Sequence, residues 1–229
     1  MEPRLEDVAL APGEAHVWRA SLDLPLAQLG ELAALLSDDE LARAARFKFD
    51  RDRNWYIAGR GILRRTLAGY LHTGAPAIRF AYGPQGKPSL PGEPLQFNVS
   101  HTSGEALYAF SLDAELGIDI ERLNPAIEVE KIAANFFSPA EVAAILALPP
   151  DRRHILFFDF WTRKEAYLKA LGHGLSIPLN EFDVSSLAEI DHPGFPKSWV
   201  YPLDAPPGFA AALVTMRPLA RYKIANVTV

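Results

Sequence analysis

The sequence predicts an α+β protein which, if its internal repeat is a duplication, has two structurally similar lobes, each a small antiparallel sheet packed against a long helix, with a cleft between them. Three observations carry that expectation. Segments that alternate with period two are interleaved with segments of helical period. SPAEVAAIL at Ser138 repeats the pattern of SDDELARAA at Ser37, and a long helical run follows each. Asp151-Arg152 stands to Ser138 as Asp50-Arg51 does to Ser37, and Leu168 matches Leu67. The identities are few enough for coincidence to produce them, so the repeat alone leaves duplication open. A duplicated chain would divide between Asp113 and Leu116, into an N-terminal lobe 1–114 and a C-terminal lobe 115–229. A groove between two such lobes is a common ligand site.

Taken in order, AHVWRASLDL reads as a strand. Ser37 is an N-cap with Glu40 three residues on, a capping-box pattern. RDRNWYIAGRGILRRTLAGYL is a long helix that ends near Gly74 and Pro76. AIRFAYGPQGKPSL reads as a strand running into a Gly/Pro turn. LQFNVSHTSGEALYAFSL is a hairpin turning at Thr102 to Glu105. LGIDIERL is a further strand. FWTRKEAYLKALG, 160–172, lies on a helix whose buried side carries Phe157, Trp161, Leu168 and Leu171.

Composition narrows the function. The chain has 229 residues, enough for one large domain or two small ones, and is 49% hydrophobic, an ordinary soluble value. No run of about 18 apolar residues suggests a membrane span. The first residues lack a basic segment followed by an apolar core, so a secretory signal is not expected. There is no cysteine, which excludes disulfides, thiolate catalysis and cysteine-ligated zinc and fits the cytoplasm. The net charge of −5 argues against nucleic acid as a partner.

Four stretches carry chemistry. In GIDIE, Gly117 to Glu121, period two puts Asp119 and Glu121 on one face, about 7 Å apart at the backbone. They could share a hard cation such as Mg²⁺, or form the solvated face of an edge strand. Glu165 sits on the flank of an apolar helix stripe, where a charge needs a partner. That partner is either a metal shared with Asp119 and Glu121 or a cation among Arg163, Lys164 and Lys169. NVSHTSG, Asn98 to Gly104, offers Ser100 and His101 at a strand end, for an anion or for turn chemistry alone. GPQGKP, Gly83 to Pro88, is a tight turn carrying Lys87; it is not a Walker loop. No histidines lie at zinc-ligand spacing. The arginines from Arg43 to Arg65 read mostly as surface charge, with a few available to line an anion site.

Five motifs in order carry a resemblance: GKP at 86–88, FNVSH at 97–101, GIDIE at 117–121, FFSPAE at 136–141 and WTRKEAYLKALGHGL at 161–175. Together they resemble the 4′-phosphopantetheinyl transferases, of the large pseudo-dimeric type, from about Ser37 to Pro178. The resemblance implies two α+β lobes with coenzyme A, the co-substrate, between them. It implies transfer of the phosphopantetheine arm to a serine of an apo acyl or peptidyl carrier protein, with release of adenosine 3′,5′-bisphosphate. Carried over by motif, Asp119, Glu121 and Glu165 would hold Mg²⁺ or Mn²⁺ against the pyrophosphate, and Lys169 would neutralise phosphate charge. Glu165 would also serve as the base. Ser100 and His101 would meet the 3′-phosphate region with Lys87 nearby. Pro88 and Asn98, within the matched motifs, would also help bind coenzyme A, and Arg46 matches a position that meets the nucleotide. Two residues depart from the pattern: Asn135 and His173 stand where relatives carry basic residues. A monomer acting in the cytoplasm is expected. The competing readings are a catalytically silent coenzyme A or carrier-binding module, and a Mg²⁺-dependent nucleotide pyrophosphate hydrolase.

Overall fold

The computed structural model describes residues 9–172, 174 and 177–227. The first half contains β1 (Glu14–Ser21), α1 (Leu26–Ala33), α2 (Asp38–Ala44), α3 (Asp50–Leu71), β2 (Ala81–Tyr82), β3 (Pro88–Ser89), β4 (Gln96–Thr102) and β5 (Glu105–Ser111). The second contains β6 (Leu116–Arg122), α4 (Val129–Phe136), α5 (Pro139–Leu146), α6 (Pro150–Leu171), β7 (Glu189–Ile190), β8 (Ser198–Pro202), β9 (Phe209–Thr215) and β10 (Arg221–Asn226). One sheet has the order β10-β1-β5-β4, the other β6-β9-β8-β7, and β2 pairs with β3 alone. Each half therefore has a sheet and a long helix, as expected. No helix among the described residues is long and apolar enough to cross a membrane.

The halves repeat in detail. Ser37 opens α2 and Ser138 opens α5, each with a capping box closed by Glu40 and Glu141. Each capping glutamate also meets a buried cation from the long helix: Arg64 Nε lies 2.6 Å from Glu40, and Lys164 Nζ 2.9 Å from Glu141. Each cation reaches on to the carbonyls around a single 3₁₀ turn. Arg64 donates to Ala75 and Ile78, and Lys164 to Leu179 and Phe182. Arg64 thus pairs with Lys164, which corrects the expected match of Leu67 with Leu168: Leu67 corresponds to Tyr167. The offset is one residue shorter along the helices than between the capping boxes, because the intervening loops differ in length. Arg64 is also not surface charge; it is buried in this network.

The hairpin β4–β5 turns at Ser103 and Gly104, whose φ angles of 47° and 83° are both positive, as a two-residue primed turn requires. A Cβ at Gly104 would lie 2.8 Å from the Asp23 carboxylate, so glycine serves there twice. The AIRFAYGPQGKPSL segment departs from expectation. Its N-terminal part is a 3₁₀ turn and loop, and only the two-residue strands β2 and β3 pair across the Gly/Pro turn. Proline at two positions removes ladder donors, which limits the strand.

α3 packs on one face of the first sheet through Ile62, Leu67, Trp18 and Phe110, and α6 on the second sheet through Phe157, Leu168 and Val214. The opposite faces of the two sheets meet in a third core, where Val17 and Leu107 join Ile118, Ile120 and Leu213. There β6 runs beside β4 without forming a ladder. Its amides are satisfied by β4 side chains: Ile118 N–H donates to Asn98 Oδ1 at 2.9 Å and Ile120 N–H to Ser100 Oγ at 3.4 Å. The last strand, β10, crosses back and pairs with β1 in parallel, so the first sheet is mixed rather than purely antiparallel. It arrives from the other half, not through a hairpin, and no tight turn dictates its direction.

Candidate active site

Ile118 and Ile120 fill the junction core, so Gly117, Asp119 and Glu121 face the other way, towards α6. Gly117 is what lets α6 lie there. A Cβ on it would stand 2.0 Å from the Ala166 carbonyl oxygen and 2.4 Å from the Ala170 nitrogen. With strand and helix backbones in contact, Glu165 and Lys169 are carried onto the carboxylate face of β6.

Asp119 is 3% exposed, which rules out a solvated edge face. Its Oδ1 accepts from Lys169 Nζ at 2.6 Å and from Ser100 Oγ at 2.7 Å, while Oδ2 is buried with no hydrogen-bond partner. Lys169 also donates to Ser100 Oγ at 2.9 Å and to the Ile118 carbonyl. Glu121 is pushed up to about 7, chiefly by burial and then by Asp119, with Glu165 adding and Lys169 and a Thr102 hydrogen bond opposing. Glu165 is raised by burial and by Asp119. The three expected cations are committed elsewhere: Arg163 pairs with Asp159, Lys164 with Glu141 and Lys169 with Asp119. Among the described residues none of the three makes a close ion pair with Glu165, though the Lys169 charge opposes burial and Asp119 in setting its pKa. His101 is exposed, yet the protein around its ring holds its pKa below the usual value, and Lys169 acts the same way.

The carboxylates feel one another, but their side chains do not converge as they stand. Among the described residues, no three His, Asp or Glu side chains are arranged to hold an ion. The donor chemistry nevertheless suits a hard cation: oxygen ligands only, one buried oxygen without a partner, and two carboxyls raised first by burial and then by the neighbouring Asp119.

The other expected site residues have separate placements. Asn98 is buried and stitches β4 to β6. Pro88 lies on β3, beside Lys87, whose ammonium is bound to backbone carbonyls rather than left free for a phosphate. Arg46 is exposed beyond α2, with no hydrogen bond or ion pair from its side chain to the β6–α6 cluster. Asn135 is exposed and donates to the Lys131 carbonyl. His173 lies outside the described residues. A pocket of about 270 Å³ between the halves is lined by Lys87, Pro88 and Phe97 from the first and Glu115, Ala170 and Gly172 from the second. Sequence reasoning missed Thr102, which holds Glu121, and left Lys164 unassigned. The two capping glutamates were the available signal for the buried role of Lys164.

Two family models match the two halves. One described as 4′-phosphopantetheinyl transferase, N-terminal, matches residues 18–110. One described as 4′-phosphopantetheinyl transferase superfamily matches residues 115–199. Over 187 residues the chain is 43% identical to the 4′-phosphopantetheinyl transferase HetI of Nostoc sp. (strain PCC 7120), covering 80% of this chain and 78% of that one. The chain belongs to the 4′-phosphopantetheinyl transferase superfamily. It is 32% identical to the transferase Sfp of Bacillus subtilis strain 168, over 73% of this chain and 75% of Sfp. It is 30% identical to the transferase ffp of Bacillus subtilis, over 88% of this chain and 92% of ffp. The enzyme is a 4′-phosphopantetheinyl transferase with both an N-terminal and a C-terminal lobe, and the β6–α6 cluster lies in the half matched to the superfamily model.

Proposed function

We propose that the enzyme moves the 4′-phosphopantetheine arm of coenzyme A onto a serine of an apo acyl or peptidyl carrier protein, with Mg²⁺ at Asp119, Glu121 and Glu165. Asp119 is the observation that carries this reading. One of its oxygens is fixed by Lys169 and Ser100, and the other is buried and unpartnered. A buried polar atom without a partner is costly and is common at functional sites.

In the proposed reaction the serine oxygen bonds to the phosphorus that carries pantetheine. The bond from that phosphorus to the bridging oxygen of the pyrophosphate breaks, and adenosine 3′,5′-bisphosphate leaves with the electron pair. Bound Mg²⁺ would neutralise the pyrophosphate and stabilise the leaving phosphate. Lys169, half-exposed at the same face, adds a fixed positive charge where negative charge develops. Glu165 accepts the serine proton; burial and Asp119 raise its pKa, which suits a base. We assign the 3′-phosphate to His101 and Arg46, both exposed. Ser100 serves Asp119 rather than the nucleotide.

The same reading divides the chain at 114/115, with β10 completing the first sheet, and takes the enzyme to be a cytoplasmic monomer. The test is intact-mass analysis of a panel of apo carrier proteins with coenzyme A and Mg²⁺. A gain of the phosphopantetheine mass, abolished by chelator, is expected. Tight coenzyme A binding without transfer would mean a silent binding module. Release of adenosine 3′,5′-bisphosphate without carrier modification would mean a hydrolase.

A further inference from the structure

Lys87 projects from the β2–β3 turn of the first half into the second. Its Nζ donates to the carbonyls of Lys169 at 2.7 Å, Ala170 at 3.2 Å and Leu116 at 3.2 Å. An ammonium has three donors, and all three are taken. Two acceptors belong to the last turn of α6, at the negative end of the helix dipole, where the Lys169 carbonyl has only a 3.3 Å bond from the Gly172 cap N–H. The third begins β6. One side chain therefore ties together the start of the strand that bears Asp119 and Glu121 and the end of the helix that bears Glu165 and Lys169. It does so from the other lobe.

The surroundings agree. Gly172 closes α6 in the left-handed conformation at φ 72°, and its Cβ position would lie 3.8 Å from Lys87 Cδ. A Cβ on Gly174 would meet Gln85 of the same turn at 3.3 Å. The turn is thus packed against the chain leaving α6. Close by, at Gly117, β6 and α6 are already in backbone contact, so a small displacement of the helix end would move Lys169 relative to Asp119.

We propose that Lys87 is a positioning residue, which sets the spacing of Lys169 and Asp119 from the opposite lobe and does not bind the nucleotide phosphate. The proposal rests on the transferase reading above. A wild-type chain that transfers no arm would end that reading before any variant is made, so the two failures are separable.

The experiment compares wild type, Lys87→Met and Lys87→Arg with coenzyme A and with 3′-dephospho-coenzyme A as donors. A positioning role predicts a fall in kcat on the order of ten- to hundred-fold in Lys87→Met, as for misplaced catalytic groups. It also predicts that the ratio of kcat/KM between the two donors stays at the wild-type value. Lys87→Arg should fall too, because a planar fork does not reproduce an ammonium held among three carbonyls. A phosphate contact predicts the opposite: the ratio collapses towards one in Lys87→Met, and Lys87→Arg keeps most of the activity. Either of those results, or wild-type kcat in Lys87→Met, would overturn the proposal. If Lys87→Met does not fold, the same ratio and kcat read on Lys87→Arg decide it.

Discussion

The two oxygens of Asp119 meet different surroundings, and much of the chemistry follows from that difference. Lys169 and Ser100 fix one; the other is buried with no hydrogen-bond partner. Glu165 stands over the same face without an ion pair to Arg163, Lys164 or Lys169. Glu165→Gln keeps its size and loses its basicity, so single-turnover transfer should slow by about 10²- to 10⁴-fold; a normal rate would remove Glu165 from the mechanism. A second residue predicts a pH effect away from this site. His16 is buried, with Nδ1 2.8 Å from the Tyr70 hydroxyl, which also accepts from Trp18. Its Nε2 has no hydrogen-bond partner and lies 3.8 Å from Glu14. Burial holds its pKa below the ordinary 6.5, with Lys223 and Arg221 acting the same way and Glu14 opposing. The unfolded chain therefore takes up that proton first as pH falls. The contribution of His16 is complete above 6.5 and is lost as pH drops from there towards the folded pKa. Between about pH 7.5 and about pH 5.5 the Tm of wild type should fall more than that of His16→Gln; equal falls would contradict this. That Asp119 and Glu121 share a face of β6, and that Glu165 lies at the flank of a buried helix side, was legible because strand and helix periodicity act over a few residues; their roles came only with the resemblance. The roles of Lys87 and Ser100 were not legible, since their partners lie far away in the sequence.

The elements are held by two copies of one device, a capping box whose glutamate is also the partner of a buried helix cation. Removing one member of such a pair strands the other, at a cost of about 3–5 kcal/mol. Glu141→Gln or Lys164→Met should each destabilise by about that amount in denaturant unfolding, while the folded fraction keeps the wild-type KM for coenzyme A. The double variant Glu141→Leu/Lys164→Met still strands the Ser138 and Val184 amides and the Leu179 and Phe182 carbonyls, so it stays destabilised but costs less than the sum of the two single variants, whereas strict additivity would argue against the pairing. Ser37 and Ser138 announced their helices correctly, because capping is local chemistry. The register between α3 and α6 was misjudged by one residue, because loop length sets it and few identities mark it. The short β2–β3 ribbon was read as a longer strand, because apolar alternation in AIRFAY outweighed the prolines on either side.

At the scale of the molecule, the two sheets share a core, yet β4 and β6 are joined by Asn98 and Ser100 side chains instead of a ladder. That arrangement leaves Asp119 at the seam, within reach of Ser100 from one lobe and Lys169 from the other. The two-lobed plan was legible from the repeat and the resemblance. The return of β10 to the first sheet was not, because pairing across the whole chain leaves no local pattern. Arm transfer to an apo carrier, measured against Mg²⁺ concentration for wild type and Asp119→Asn, bears on this arrangement directly. The asparagine keeps an oxygen for Ser100 and Lys169 but loses the charge for a cation. The rate should fall by roughly 10²- to 10³-fold, the range for losing a preorganised electrostatic group, and the Mg²⁺ requirement should shift to higher concentration. A variant with the wild-type rate and an unchanged Mg²⁺ dependence would contradict the placement of the reaction at Asp119.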